Sequence, residues 1–326
     1  MENREWGMGS GDFGYERKGT VAAWCILLCV IGLFVASCAS SPQYPNPLLE
    51  ESGYLPFEPG ALAYIFVDVP ASRPILENAA IREMGEQEAR QMLDRTRSAA
   101  AALYVPAGGR RFALAAWGGY PARRVNMALG ASRGWKKLRS PAGEWYWRSE
   151  ERGLSLAMDT RQAFALAAAS PGSPKGPAQG TEIPEGFNEF RRGAALSVWL
   201  ESPGSLLNQK LREMAIPLEI PAERVFVSII PLAEERTALP AAKPDETRYE
   251  ALLQIQLASA AQARALAALF SFARNFLPAD ASGGPAAALS LLFANLPVQD
   301  GANLNIKTAP LTGREIALLF NVFSVH

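Results

Sequence analysis

Cysteine and histidine are nearly missing from this chain of 326 residues. The three cysteines stand at positions 25, 29 and 38, so the 288 residues after Cys38 contain none. That body can hold no disulfide, zinc knuckle or thiol nucleophile. The lone histidine is His326, the last residue. A serine nucleophile therefore lacks the imidazole base that a Ser-His-Asp site requires.

Excess charge is missing as well. Lys+Arg and Asp+Glu are both 32. Residues 1–37 hold Arg4, Arg17 and Lys18 against Glu2, Glu5, Asp12 and Glu16, so 29 basic and 28 acidic residues remain without them. A nucleic-acid-binding protein carries a strongly basic balance, and none is expected here. No Asp-x-Asp-x-Asp spacing offers oxygen ligands for calcium. Glu83, Glu86 and Glu88 read as the wet face of a helix shared with Arg82 and Arg90. Gly108-Gly109 and Gly118-Gly119 are loop glycines, without the Lys-Ser/Thr of a phosphate loop. No metal and no cofactor is expected.

What is present begins at the N-terminus. Arg17-Lys18 precedes 17 uncharged residues, Val21 to Ser37. Positive charge before an apolar core is the export arrangement, and the positive-inside bias sends the rest of the chain across the membrane. Two readings follow. A run of this length just spans a bilayer core of about 30 Å, as an uncleaved anchor helix. Alternatively, Val35-Ala36-Ser37-Cys38 resembles the lipobox of bacterial lipoprotein signal peptides. That resemblance implies removal of residues 1–37 as a signal peptide and acylation of Cys38, with palmitate among the expected chains. Ala39-Ser40-Ser41-Pro42 turns polar at once, as a tether should. The absence of aspartate after the cysteine resembles the pattern associated with outer-membrane sorting. Both readings place the body outside the cytoplasm, held on a membrane.

Residues 38–59 are rich in proline and read as a lipidated tether. A second Pro/Gly-rich break at 171–188 reads as a linker between bodies at 60–170 and 189–326. These two stretches carry an internal repeat. Gly60–Pro70 aligns without a gap on Gly193–Pro203, each an apolar strand closed by an acid (Asp68, Glu201) and then a proline. Helical stretches follow, reaching Arg82-Glu83-Met84 and Arg212-Glu213-Met214. Strands at Ala101–Pro106 and Val225–Pro231 come next, then return strands at Arg111–Trp117 and Tyr249–Leu257. Ala-rich helices at Ala122–Gly134 and Ala260–Phe276 lead to closing pairs. These are Leu154–Asp159 with Phe164–Ala169, and Leu304–Thr308 with Glu315–Phe323. The first half adds a strand at Glu144–Arg148. The expected fold is α+β: two related ferredoxin-like (split βαβ) halves with antiparallel or mixed sheets. Helices pack on one face, and a groove lies where the halves meet.

Four residues stand out as candidate ligand contacts. Asp68 and Glu201 end equivalent strands, and a carboxylate pair separated by roughly 5–10 Å does glycosidic acid/base work. An acid before a proline equally caps the next helix. Trp145 and Trp147 share one face of a strand, as a stacking platform or as core. Arg110-Arg111 and Arg123-Arg124 read as solvated pairs that can also meet anionic lipid or polysaccharide. No residue is assigned a catalytic role. The expected function is a non-enzymatic envelope protein that binds or scaffolds. A carrier or receptor for a small apolar or sugar ligand in the groove is the alternative, and a carboxylate-dependent envelope hydrolase the third. Its partners are the membrane, through the N-terminal lipid, and an envelope protein or small ligand. Under the lipobox reading, Cys38→Ala should abolish metabolic palmitate labelling and leave an unprocessed precursor; continued labelling contradicts it.

Overall fold

The computed structural model describes most of residues 54–316, with short breaks and longer ones at 168–180, 233–246 and 275–289. The apolar run, Cys38 and most of the tether lie outside the described residues. So does most of the strand expected at Glu315–Phe323, whose first described residues are helical instead.

The first half runs β1 (Tyr54–Leu55), β2 (Ala63–Asp68), α1 (Val69–Met84), α2 (Glu86–Arg95), β3 (Thr96–Tyr104), β4 (Arg111–Gly118) and α3 (Ala122–Ala131). It closes with β5 (Lys136–Arg139), β6 (Trp145–Ser149), β7 (Leu154–Met158) and β8 (Ala163–Ala167). The second half runs β9 (Thr181–Glu182), α4 (Phe187–Phe190), β10 (Leu196–Glu201), β11 (Ala222–Pro231), β12 (Arg248–Leu257) and α5 (Ala260–Arg274). β13 (Val298–Asp300), β14 (Asn303–Lys307) and β15 (Leu311–Thr312) follow.

The expectation of two ferredoxin-like halves does not fit this arrangement. A split βαβ unit sets its crossover strands parallel, yet β2 and β3, on either side of the helices, are adjacent and antiparallel. The cause lies in Gly85, whose φ of 94° breaks the helical stretch in two. α1 and α2 then form a hairpin, tied by Arg73–Asp94 at 2.6 Å and Arg90–Glu77 at 3.1 Å. A helical hairpin returns the chain to the end of the sheet that it left. β3 therefore starts beside the end of β2 and must run back along it.

The halves also do not form two sheets. One thirteen-stranded sheet has the order β13-β14-β12-β11-β10-β2-β3-β4-β8-β7-β6-β5, with β15 on β12. Every described pair in it is antiparallel. β2 and β10 meet at the junction, where Ile65 pairs with Val198. The gapless alignment of the two strands also sets Ile65 on Val198. A local two-fold through this pair carries β2 onto β10, and β3 and β4 occupy places matching those of β11 and β12.

Strand pleating assigns the faces. One face presents Val67, Leu196, Ile229, Ile255, Leu304, Leu156 and Trp147, packed under α1, α3 and α5. The expectation of helices on one face holds for these long helices. At its centre the opposite face presents Tyr64, Phe66, Ala100, Ala102, Trp199 and Phe226. Phe57, Ile183 and Phe187 cover these residues. They come from the end of the expected tether and the end of the expected linker, which pair with each other as β1 and β9. Arg191 lies with its guanidinium 4.9 Å from the Phe66 ring, and burial lowers its pKa. Among the described residues no helix is long and apolar enough to cross a membrane.

Among the described glycines the tightest approach is at Gly118. A β-carbon there would stand 1.9 Å from Arg95 O and 3.0 Å from Thr96 Cα. Both are backbone atoms at the junction of α2 and β3, where Gly119 N donates to Arg95 O at 2.8 Å. Gly118→Ala should cost about 3 kcal/mol, the upper end of the overpacking range. Urea unfolding with an unchanged midpoint would contradict this.

Candidate functional site

A cleft of about 380 Å³ opens where the β1–β9 ribbon lies over the junction of the halves. Its walls include Pro59, Ile183, Pro184, Tyr64, Trp199 and the Glu201–Arg224 pair. Tyr64 and Trp199 are cross-strand partners, and their rings stack with centroids 4.6 Å apart. Such a pair adds about 0.5–1.5 kcal/mol beyond its burial.

A buried indole needs an acceptor for its N–H. Trp199 Nε1 donates to Glu201 Oε2 at 2.7 Å, two residues along the same strand face. Arg224, opposite Glu201 on β11, donates through Nε to Oε1 at 3.1 Å and to Oε2 at 3.2 Å. The pair is about one-third exposed, so it contributes little to stability, within the 0.2–1 kcal/mol typical of exposed pairs. What it supplies is an oriented polar edge beside a buried aromatic pair. Directly after Glu201, Ser202 sits in the left-handed region at φ 49° and donates its N–H to Glu223 O at 2.8 Å. That strained residue turns the chain away at the end of the cleft.

A hydrogen-bonded network holds the ribbon against the sheet. Tyr64 and Tyr104 both donate to Glu58 O, at 3.5 and 2.8 Å. Thr181 donates to Phe57 O at 3.0 Å and lies 3.3 Å from the Tyr64 hydroxyl. Burial, followed by the charges of Tyr64 and Glu58, pushes the Tyr104 phenol up to about 12.

The four candidate residues are not brought together. Asp68 and Glu201 end equivalent strands, but β2 and β10 are antiparallel and the two acids point to opposite ends of the pair. Asp68 N bonds Ala195 O, while Glu201 N bonds Leu62 O. At about 3.4 Å per residue the acids stand roughly 20 Å apart, too far for a glycosidic pair. Asp68 is an N-cap: its Oδ1 accepts from Ala71 N at 3.1 Å. Trp147 is buried, donating Nε1 to Asn126 Oδ1 at 2.7 Å under α3. Trp145 is 56% exposed. Of the four, only Glu201 lies in the cleft. Sequence reasoning missed Trp199 and Arg224. The Trp-x-Glu spacing was a legible cue to the first, whereas Arg224 follows only from the β10–β11 register.

Residues 55–169 match the family model of the outer membrane-associated lipoprotein TP0453. The first half of the body thus has a family counterpart that the sequence reading did not assign. The description of that family agrees with the expected export and membrane anchoring. Three crystal forms of TP0453 share the fold. Form I has TM-score 0.52 and 15% identity, over 82% of this chain and 95% of that one. Forms III and IV each have TM-score 0.51 over 80% of this chain, at 16% and 15% identity, and cover 94% and 93% of theirs. The structural likeness therefore runs well beyond residue 169, into the second half. No curated protein matches the chain.

The Tyr104 network makes alkaline stability a readout of the ribbon. An unfolded phenol titrates near 10, so between about pH 10 and 12 the unfolded chain has lost a proton that the folded one keeps. Stability should fall as pH rises through that window. Tyr104→Phe should lessen the fall in urea unfolding between pH 9 and 11.5, with the buried Tyr120, also raised by burial, supplying what remains; an equally steep fall in the variant contradicts the assignment.

Proposed function

We propose that this chain is a non-enzymatic binding lipoprotein of the outer membrane, held by acyl chains on Cys38. Its ligand cleft lies at the junction of two halves that descend from one duplicated unit. The observation that carries the binding role is the cleft itself, where the neutralised Glu201–Arg224 pair sits beside the Trp199–Tyr64 stack. Tyr64 and Trp199 are 1% and 4% exposed, so the groups that a ligand meets there are the fixed ion pair and the ribbon's Pro59 and Pro184, a few polar groups against an apolar rim. Both charges are spent on each other and on the indole, which leaves neither as a free acid or base. The lipobox resemblance and the TP0453 description support the anchor. The repeat in the sequence and the two-fold strand order support the duplication.

The ligand this cleft suits is small and partly apolar, with a hydroxyl or amide edge for the ion pair. A sugar or a lipid headgroup with its first methylenes has that character. Isolation of the full chain from its native membrane should co-purify such a molecule, identifiable by mass spectrometry. Glu201→Leu should reduce its recovery by at least about tenfold, the loss of one charge-assisted contact. Equal recovery from the variant, or none from the unaltered chain, contradicts the proposal.

A further inference from the structure

The far end of the sheet carries a feature unrelated to the cleft. From Arg95 to Gly143 the chain holds ten basic residues and no acidic one, in a protein whose total charge is zero. Four of the ten, Arg133, Lys136, Lys137 and Arg139, fall in or just before β5, the last strand of the sheet. All four residues of β5 are exposed. Among the described residues, no carboxylate pairs with Lys136, Lys137 or Arg139.

Beside them stands Trp145. It pairs with Arg139 on β6, with Lys137 Nζ 5.0 Å and Arg139 Cζ 5.6 Å from its ring. On the same strand face α3 covers Trp147, reaching it through Asn126 and Gly130. Trp145 projects beyond that cover. Met127, 67% exposed on α3, adds apolar surface at this end of the fold, while Leu138 and Lys136 project from the other face of β5.

A solvated charge run needs no indole, and a core indole needs no flanking cations. An exposed indole beside Lys137 and Arg139, neither ion-paired with a carboxylate among the described residues and Arg139 held by Gly143 O at 2.8 Å, has the composition of a membrane-interface surface. We propose that the β5–β6 end of the sheet is a second membrane contact, lying on an anionic headgroup layer with Trp145 at the interface. Charge complementarity identifies the partner, because basic groups near an anionic surface are attracted over roughly a Debye length. The N-terminal anchor keeps the body within reach, so weak contacts suffice once diffusion is confined to the surface. Docking would orient the body, with the sheet end down and the cleft of the central junction away from that end.

The test uses the full lipidated chain reconstituted in vesicles, so that the anchor is constant. Vesicles of phosphatidylcholine are compared with vesicles containing 30 mol% phosphatidylglycerol, both carrying brominated acyl chains. Tryptophan fluorescence should be quenched in the anionic vesicles alone, and the extra quenching should vanish in Trp145→Phe. The double variant Lys137→Glu, Arg139→Glu should lower the docked-to-free ratio by at least about tenfold. Arg264→Glu, on an exposed face of α5, should leave it unchanged. High salt should weaken the quenching. Equal quenching in both vesicle types, or quenching that survives charge reversal, overturns the proposal. Protection of Trp145 by a soluble anionic polysaccharide, without any anionic-vesicle quenching, also overturns it and assigns the surface to a glycan.

Discussion

The antiparallel pairing of β2 with β10 is the constraint on which the rest depends. It joins two halves into one continuous sheet, and its two-fold character sets what lies where. Because the strands run in opposite directions, equivalent residues land at opposite ends. Asp68 and Glu201 therefore meet different surroundings: one caps a helix, the other turns toward a cleft. Because both strands are pleated, Tyr64 and Trp199 fall on the same face and stack. That stack forms one wall of the cleft and the floor on which the ribbon rests.

A sheet this wide has two faces to bury. The long helices cover one of them, as amphipathic helices do. The other is aromatic near the junction, and a small aromatic cap from the ribbon and α4 covers it there. The two proline-rich stretches that flank the first half are thus structural at their inner ends. Phe57, Ile183 and Phe187 are buried among Tyr64, Phe66 and Trp199. By lying over the junction the ribbon also creates the cleft, since a two-stranded ribbon covers less than the face beneath it.

Much of the secondary structure was legible. β2, β4, β7, β10, β12 and α5 fall close to where hydrophobic period and breaker residues put them. The misses have specific causes. β1 and β9 are two residues long and carry no period; they exist only because each supplies the other with hydrogen-bonding partners. β5 reads Lys-Lys-Leu-Arg, an edge strand without an apolar face. Gly85 sits in a polar helical stretch, where one glycine usually costs stability without ending the helix. Here its left-handed φ makes a hairpin of it and overturns the expected parallel crossover. The two tryptophans were placed on one face correctly, but only α3 separates them into core and surface.

The sequence alone determined the classes of chemistry closed to this protein, because composition does not depend on folding. With no cysteine after Cys38 and a single histidine at position 326, the body offers no disulfide, zinc knuckle or thiol nucleophile and no internal imidazole base. The sequence likewise carries the charge-led apolar run at Val21 to Ser37 and the strand and helix periods, which are local properties of the chain. Tertiary structure decided strand order, the merging of two halves into one sheet, and which acid faces a cleft. Those depend on pairing between residues more than a hundred positions apart. A strand's own sequence states which side chains share a face, but not which neighbour or which cover that face will meet.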